Sequence, residues 1–433
     1  MADFSMYTKE SGFGAEVSAS DDSAPEDGSY AAVVEGKDWG AVITKLIVPA
    51  VKTARPEQIV NNAVTLTLKT AVFNMDKGAV VQKEVLRSIT AVYMSDCTGK
   101  KAPEGSGFVT LELPSDPSDT DSNLFLYNPL TGFNTWKDPY RFKIEAPFLA
   151  MPAKSCAAVV CPALTGFSFK EVTDGTCTLS CAYFEPHGTG RKPLIIWLHG
   201  AGEGGTDPSI PLMANKAAMF ASAETQRIFG GNAYVLVPQT PKVWMTTGGT
   251  PYDISDATEQ TKSSLYTGTV KLIIDMFIAG HPDTDTDRIY IGGASNGGYM
   301  TMNMLLLYPG FFAAAFPVCE GYPDPWISDK QIAQLSKEHI WFTAASTDTV
   351  VDPELYMIPT VNRLRAAGAG DIHESLFEKV VDTSGLYHNT DGIPYEYLGH
   401  WSWIYMLNNE CVDKGVDILH WLAGRKKQQI AIS

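Results

Sequence analysis

Five consecutive residues, Gly293-Ala294-Ser295-Asn296-Gly297, carry the sharpest chemical signal in the chain. A serine hydroxyl is a poor nucleophile unless a base stands beside it, so this pattern asks for a histidine and a carboxylate elsewhere. The apolar run Arg288–Gly292 before it reads as a strand. The run Gly298–Tyr308 after it reads as a helix stopped by Pro309. A strand, a sharp turn and a helix in that order hold a serine in strained backbone and lift its Oγ above the carboxyl edge of a sheet. Such a turn closes only if the residues around the serine lack bulk, which Gly293 and Gly297 satisfy. A glycine-rich turn with an incidental serine is the plain alternative, and the flanking strand and helix weigh against it.

Around such a turn the acid follows the serine in the chain, and the histidine follows the acid. Asp348 lies in Ala345-Ser346-Thr347-Asp348-Thr349, just after the apolar run His339–Ala344. It is the acid candidate, with Asp352 as second choice. His400 lies in Gly399-His400-Trp401-Ser402-Trp403, ahead of a helical pattern over Cys411–Leu422. It is the base candidate, with His388 as fallback. His373 reads as the start of a strand, and His187, His281 and His420 fall outside the window.

The segment His199-Gly200-Ala201-Gly202-Glu203-Gly204-Gly205 follows the strand pattern Leu194–Leu198. Its small residues let backbone approach a substrate. The N–H of Ala201 and that of Asn296, the residue after the serine, are the expected oxyanion donors. No Lys-Ser/Thr follows, so a phosphate loop fails. His199 and Glu203 are expected to brace this loop. Trp244, Tyr299, Trp401 and Trp403 are candidates for the substrate pocket, with core packing as the alternative for each.

The elements that must position these groups alternate. Apolar strands at Leu194–His199, Ala233–Pro238, Arg288–Gly292, Ala313–Val318 and His339–Ala344 are separated by helical patterns at Thr267–Ile278, Gly298–Tyr308 and Pro353–Ala367. Near-continuous apolar strands between helices predict a three-layer α/β domain with a mostly parallel sheet, over residues 151–433. Residues 34–150 read differently. Short β-branched runs (41–50, 63–73, 88–93, 107–113 and 140–145) are separated by turn residues, which predicts a β-sandwich of immunoglobulin size. The Asp116, Asp119 and Asp121 cluster inside it reads as a polar turn rather than a calcium loop. Residues 1–33, rich in Ser, Asp, Glu, Gly and Ala, read as a flexible leader.

The 433 residues carry 33 basic and 49 acidic side chains, a formal net charge of −16. That balance offers no electrostatic footprint for nucleic acid. No apolar run reaches the ~18 residues of a membrane helix. The seven cysteines include the close pairs Cys156/Cys161 and Cys177/Cys181, which read equally as local bridges and as buried thiols. The first residues lack the basic-then-apolar pattern of a signal peptide. The expectation is a secreted protein whose signal is absent from this chain, with a cytoplasmic one as the alternative.

The segments HGAGEGGTD (199–207), VLVPQTP (235–241), RIYIGGASNGGYMTMNMLLLYP (288–309), STDTVV (346–351) and GHWSW (399–403) resemble a family of α/β-hydrolase esterases. Its members carry an N-terminal immunoglobulin-like domain and are often labelled predicted peptidases or polyhydroxybutyrate-depolymerase-like proteins. The resemblance implies Ser295 as nucleophile, Asp348 as acid and His400 as base. The chain departs from the family pattern at His400-Trp401-Ser402-Trp403, where His-Gly-Ser-Trp is common. It departs again at Phe342-Thr343-Ala344-Ala345, where a His or Gly is common. The expectation is a serine carboxylic ester hydrolase acting on short-chain acyl, feruloyl or other aromatic esters, or polyesters. A serine peptidase on the same residues, or a non-catalytic carbohydrate- or partner-binding protein, is the alternative. No cofactor or metal is expected. The expected partner is a small-molecule or polymer-linked ester, with no nucleic acid and no membrane span. The N-terminal domain is a candidate for homo-oligomer contacts.

Overall fold

A computed structural model describes residues 24–51, 53–54, 56–103, 106–246 and 262–427. The chain divides into two compact units, with the boundary between Thr165 and Gly166.

The N-terminal unit is all β. Its strands are β1 (Ser29–Lys37), β2 (Gly40–Pro49), β3 (Thr65–Asn74), β4 (Ala79–Leu86), β5 (Ala91–Ser95), β6 (Phe108–Glu112), β7 (Phe125–Asn128), β8 (Phe133–Trp136), β9 (Tyr140–Glu145) and β10 (Ser155–Val160). One sheet runs β10-β1-β2-β6-β5 and a second β4-β3-β9, with β7-β8 as a separate hairpin. Alternation buries Leu66 and Leu68 of β3, and Phe142 and Ile144 of β9. The Phe142 N–H donates to the Tyr30 hydroxyl at 3.0 Å, tying β9 to β1 of the other sheet.

Two expected boundaries move. The leader expected over 1–33 gives way to β1 from Ser29, because the apolar run Tyr30–Val34 pairs with β2 and β10; residues 1–23 lie outside the described residues. The division expected at 150/151 falls fifteen residues later, because β10 pairs in parallel with β1 and completes the first sheet. The acidic cluster is a polar turn, as read from the sequence. Arg87 pairs with Asp119 at 2.6 Å and Lys83 with Asp121 at 2.7 Å, while Asp116 accepts from Ser118. All seven cysteines are free thiols, so neither local bridge forms.

The C-terminal unit is built on β11 (Phe167–Thr173), β12 (Thr178–Phe184), β13 (Lys192–Leu198), β14 (Tyr234–Gln239), β15 (Thr284–Ala294), β16 (Ala314–Val318), β17 (Ile340–Ala345) and β18 (Ile372–Phe377). They form one sheet in the order β11-β12-β14-β13-β15-β16-β17-β18. The first two pairings are antiparallel and the rest parallel. Every residue of β13, β14 and β17 is buried, which is why these segments read as unbroken apolar runs. The chain moves from β13 outward to β14, then returns to place β15 on the opposite side of β13. The loops leaving the carboxyl ends of β13 and β15 therefore diverge, and open α/β sheets bind ligands at such a switch point. Both sequence signals, the segment 199–205 and Ser295, lie there.

One expected helix is cut to half its length. Cys411–Leu422 opens as a hairpin, β19 (Val412–Asp413) and β20 (Val416–Asp417), and only Ile418–Ala423 is helical. Lys414 and Gly415 take φ of 51° and 80°, a two-residue turn with left-handed backbone that a continuing helix cannot contain. The short helix Trp403–Leu407 instead follows His400 directly.

Candidate active site

Ser295 joins β15 to the helix Asn296–Leu307 with φ 56° and ψ −116°. A non-glycine residue held there is strained, and such strain persists only where the surroundings over-determine it. Its N–H donates to the Val318 carbonyl of β16 at 2.9 Å. The glycines on either side are required by contact rather than by flexibility. A Cβ at Gly293 or Gly297 would collide with the Leu198 carbonyl oxygen at the end of β13. A Cβ at Gly298 would stand 2.7 Å from the Glu320 Cα. The turn is thus pressed between its two neighbouring strands, and only the serine side chain is left to project.

Asp348 follows β17 and is 3% exposed. Its Oδ1 accepts from the N–H groups of Val350 at 2.8 Å and Val351 at 2.9 Å, which aims Oδ2. His400 arrives from the opposite direction, on the single turn Gly399–Trp401. Gly399 packs so tightly on Thr347 that a Cβ would overlap the Thr347 backbone. That contact presses the histidine loop onto the loop carrying Asp348. His400 Nδ1 lies 2.8 Å from Asp348 Oδ2, and its Nε2 lies 2.8 Å from Ser295 Oγ. With a carboxylate facing Nδ1, that nitrogen carries the proton and donates. Nε2 is left as the acceptor for the serine hydroxyl. The structure thus brings Ser295, Asp348 and His400 together. Asp352, the second-choice acid, accepts from the Glu354 N–H in its own turn. His388 is exposed in a loop where its backbone bridges Pro394.

The segment after β13 is braced from beneath. His199 is fully buried, and burial pulls its pKa down to about 4, the hydrogen bond to Gly200 opposing. The neutral ring donates from Nδ1 to the Gly200 carbonyl at 2.6 Å and accepts at Nε2 from the Thr240 N–H at 3.1 Å. Gln239 donates to the Glu203 carbonyl at 2.9 Å. A Cβ at Gly200 would meet the Ala294 carbonyl oxygen at 3.6 Å, so this loop lies against the serine turn. Ala201 opens a 3-10 turn in that loop, and Asn296 is the first residue of the serine helix, where N–H groups have no intrahelical partner.

Residues 29–147 match the family described as Esterase Ig-like N-terminal domain, and residues 259–358 match the Prolyl oligopeptidase family. Carboxylesterase SOBER1 of Arabidopsis thaliana is 32% identical over 131 residues, 27% of this chain and 52% of that protein. A probable carboxylesterase SOBER1-like of the same plant is 31% identical over 130 residues, 27% of this chain and 45% of that protein. The chain thus spans about half the length of the curated relatives it matches. A crystal structure of a thermostable esterase superposes with a TM-score of 0.70 at 21% identity, covering 92% of this chain and 99% of that one. The C-terminal unit has the α/β-hydrolase fold. The N-terminal unit has an immunoglobulin-like fold, and its residues 29–147 are the ones that match the esterase Ig-like family.

Two of the four aromatic pocket candidates belong to the core of the hydrolase unit instead. Trp244 is fully buried, and its indole N–H donates to the His199 carbonyl at 2.9 Å. Tyr299 is fully buried and stacks on Tyr322 at 5.5 Å. Both point inward, Trp244 toward the His199 carbonyl and Tyr299 against Tyr322. Trp401 and Trp403 stay partly exposed beside the histidine, with the Trp403 ring edge-on to His400 at 5.7 Å.

The hydrolase unit also holds groups that no motif announced. The Asn296 side chain is buried, and its Oδ1 accepts from the N–H groups of Trp244 at 2.5 Å and Met245 at 3.3 Å. Glu320 follows β16 by two residues and is 2% exposed. Burial pushes its carboxyl well above the usual range, while the Tyr322 N–H, donating at 2.6 Å, opposes that rise. Asn296 heads the serine helix and meets the loop after β14, while Glu320 is buried where that helix packs on it at Gly298, so a linear pattern could not reveal either.

Proposed function

We propose that the protein is a serine carboxylic ester hydrolase working through an acyl-enzyme on Ser295. The observation that carries this reading is the pair of 2.8 Å contacts from His400, one to Ser295 Oγ and one to Asp348 Oδ2. Ser295 Oγ attacks the acyl carbonyl carbon while His400 Nε2 takes its proton. Asp348 fixes the imidazole tautomer and stabilises the imidazolium that forms. The N–H groups of Ala201 and Asn296 hold the oxyanion, and His400 returns its proton to the departing alcohol. Water then attacks the acyl-enzyme with His400 as base, releasing the acid and restoring Ser295.

The partly exposed rings of Trp401 and Trp403 support an aromatic acyl group, such as a feruloyl ester, over a purely aliphatic one. Short acyl esters need no more than the relay itself, and polyester cleavage would use the same chemistry on a longer chain. The match of residues 259–358 to the Prolyl oligopeptidase family favours a second reading, a peptidase on the same three residues. An amide is the poorer leaving group, so the two separate in one assay. Acetyl, butyryl and feruloyl p-nitrophenyl esters are offered beside peptide anilides. Ester turnover with inert anilides is expected; anilide cleavage with inert esters would reverse the order.

A further inference from the structure

A fourth reactive group stands against the relay. Cys319 follows β16 directly, is 1% exposed, and is pinned by its N–H donating to the Thr343 carbonyl of β17 at 2.7 Å. Its Sγ, a carboxylate oxygen of Asp348 and a ring nitrogen of His400 all lie within 4.8 Å of one another. The Ser402 hydroxyl also faces this thiol; it is fully buried and has no other partner among the described residues. Neither Cys319 nor Ser402 has a step in ester hydrolysis.

We propose that Cys319, Asp348 and His400 form a site for a thiophilic divalent cation of the zinc type, and that filling it switches the hydrolase off. The inhibitory half of this claim rests on the relay being catalytic. One sulfur, one imidazole nitrogen and one carboxylate oxygen form a zinc-type donor set, with the fourth position left to water or a hydroxyl. Calcium and magnesium prefer all-oxygen shells, so they are not expected to compete. Zinc bonds of about 2.0–2.3 Å put tetrahedral donor atoms roughly 3.5 Å apart, so the group must draw together by about 1 Å.

The proton balance explains the inhibition. The thiol loses its proton to solvent when sulfur binds the cation. The ion takes His400 Nδ1, the nitrogen already facing Asp348, and the Nδ1 proton is replaced by one on Nε2, leaving the ring neutral. Each bound ion therefore releases one proton. Nε2 then carries a hydrogen toward Ser295 Oγ and can no longer accept one, so the serine loses its base. No electrons move, and removing the ion restores the original tautomer.

The test titrates the full chain with zinc chloride in a non-chelating buffer, following heat and ester turnover in parallel. Cadmium chloride replaces zinc for the thiolate-to-metal absorption band. The expected result is one binding event that tracks loss of turnover and is reversed by EDTA. A cadmium–thiolate band should be present in the wild type and diminished in Cys319→Ser. That variant should need about tenfold more zinc, or beyond, for half inhibition. Inhibition is read as turnover with zinc over turnover without it, so a changed metal-free rate does not disturb the comparison. Cys319→Ala, smaller and without a donor, repeats the test should the serine variant misfold. Equal zinc sensitivity in both variants, or an undiminished cadmium band, would overturn the site. If the unaltered protein hydrolysed no ester, the catalytic reading would fail alone, because heat and absorption still report binding.

Discussion

Two histidine–carboxylate clusters of the C-terminal unit, one beyond each end of β17, differ in what faces the second ring nitrogen. His400 sits at the carboxyl end of β17 with Asp348 on one nitrogen and a serine hydroxyl on the other. His373 sits near the amino end of β18, paired in register with Trp341. Its Nδ1 lies 2.7 Å from Asp413 and its Nε2 lies 3.0 Å from Asp371. The ring is stacked on Trp341 at 4.7 Å and 14°. Asp371 is engaged further by His339 at 2.6 Å, Arg425 at 3.2 Å and the Trp421 indole at 3.3 Å. A ring with a carboxylate at each nitrogen has no nitrogen free to take a proton from a hydroxyl. The comparison shows that a buried His–Asp pair becomes a candidate base only when its far nitrogen meets a protonated nucleophile at the open edge of the sheet. The other cluster fastens the β19–β20 hairpin and the last helix to β18.

The largest way to break this contrast is to remove the nucleophile. Ser295→Ala is expected to lower kcat by about 10⁴ or more with the melting temperature unchanged. Steady-state assays on p-nitrophenyl butyrate beside thermal melts check both halves. Asp348→Asn keeps the shape of the acid but presents the wrong partner to Nδ1, and a fall in kcat of about 10⁴ is expected. If that variant kept full turnover while Asp352→Asn lost it, the second-choice acid would take the role.

The three central residues were legible because each depends on local pattern plus chain order. The serine turn needs Gly293 and Gly297, and the strands on either side supply Asp348 and the route to His400. The parallel sheet was legible because β13, β14 and β17 are buried on both faces and read as unbroken apolar runs. Other features depend on partners distant in the chain. Trp244 and Tyr299 stand at the right chain positions for a pocket, but their inward direction is set by His199 and Tyr322. The unit boundary turned on a parallel pairing of β10 with β1, which no composition shift marks. The apolar spacing of 411–422 fits a helix, and only the left-handed pair Lys414–Gly415 breaks it.

Asn296 sharpens the contrast between a main-chain role and a side-chain role at one residue. From the motif alone, only its N–H matters and truncation to alanine should do little. Its Oδ1, however, accepts from two buried N–H groups on the loop after β14. Asn296→Ala leaves those donors unpaired, for a loss of roughly 1–3 kcal/mol in stability. The loosened helix head is expected to lower kcat about 10- to 100-fold with KM little changed. Asn296→Asp keeps the acceptor oxygen and should recover most of that loss. Equal defects in the two variants would show that the clamp does not position the donor N–H.

The smallest effect on turnover belongs to the second cluster. Burial alone would raise the Asp371 carboxyl, but hydrogen bonds from His339 and Trp421, the charge of Arg425 and the contact with His373 hold it far below the usual range. A carboxyl whose pKa is depressed by folding contributes stability that is present above its unfolded pKa and is lost as pH falls below it. Asp371→Asn should therefore cost roughly 1–3 kcal/mol near neutral pH. The gap from wild type should shrink on acidification from about pH 4 downward. Turnover per folded molecule should stay at the wild-type level, since this cluster touches neither Ser295 nor His400. Denaturant unfolding of both proteins across that pH range is the measurement. A gap that stayed constant down to pH values well under 4 would mean that packing on Trp341, and not the carboxylate charge, holds the hairpin in place.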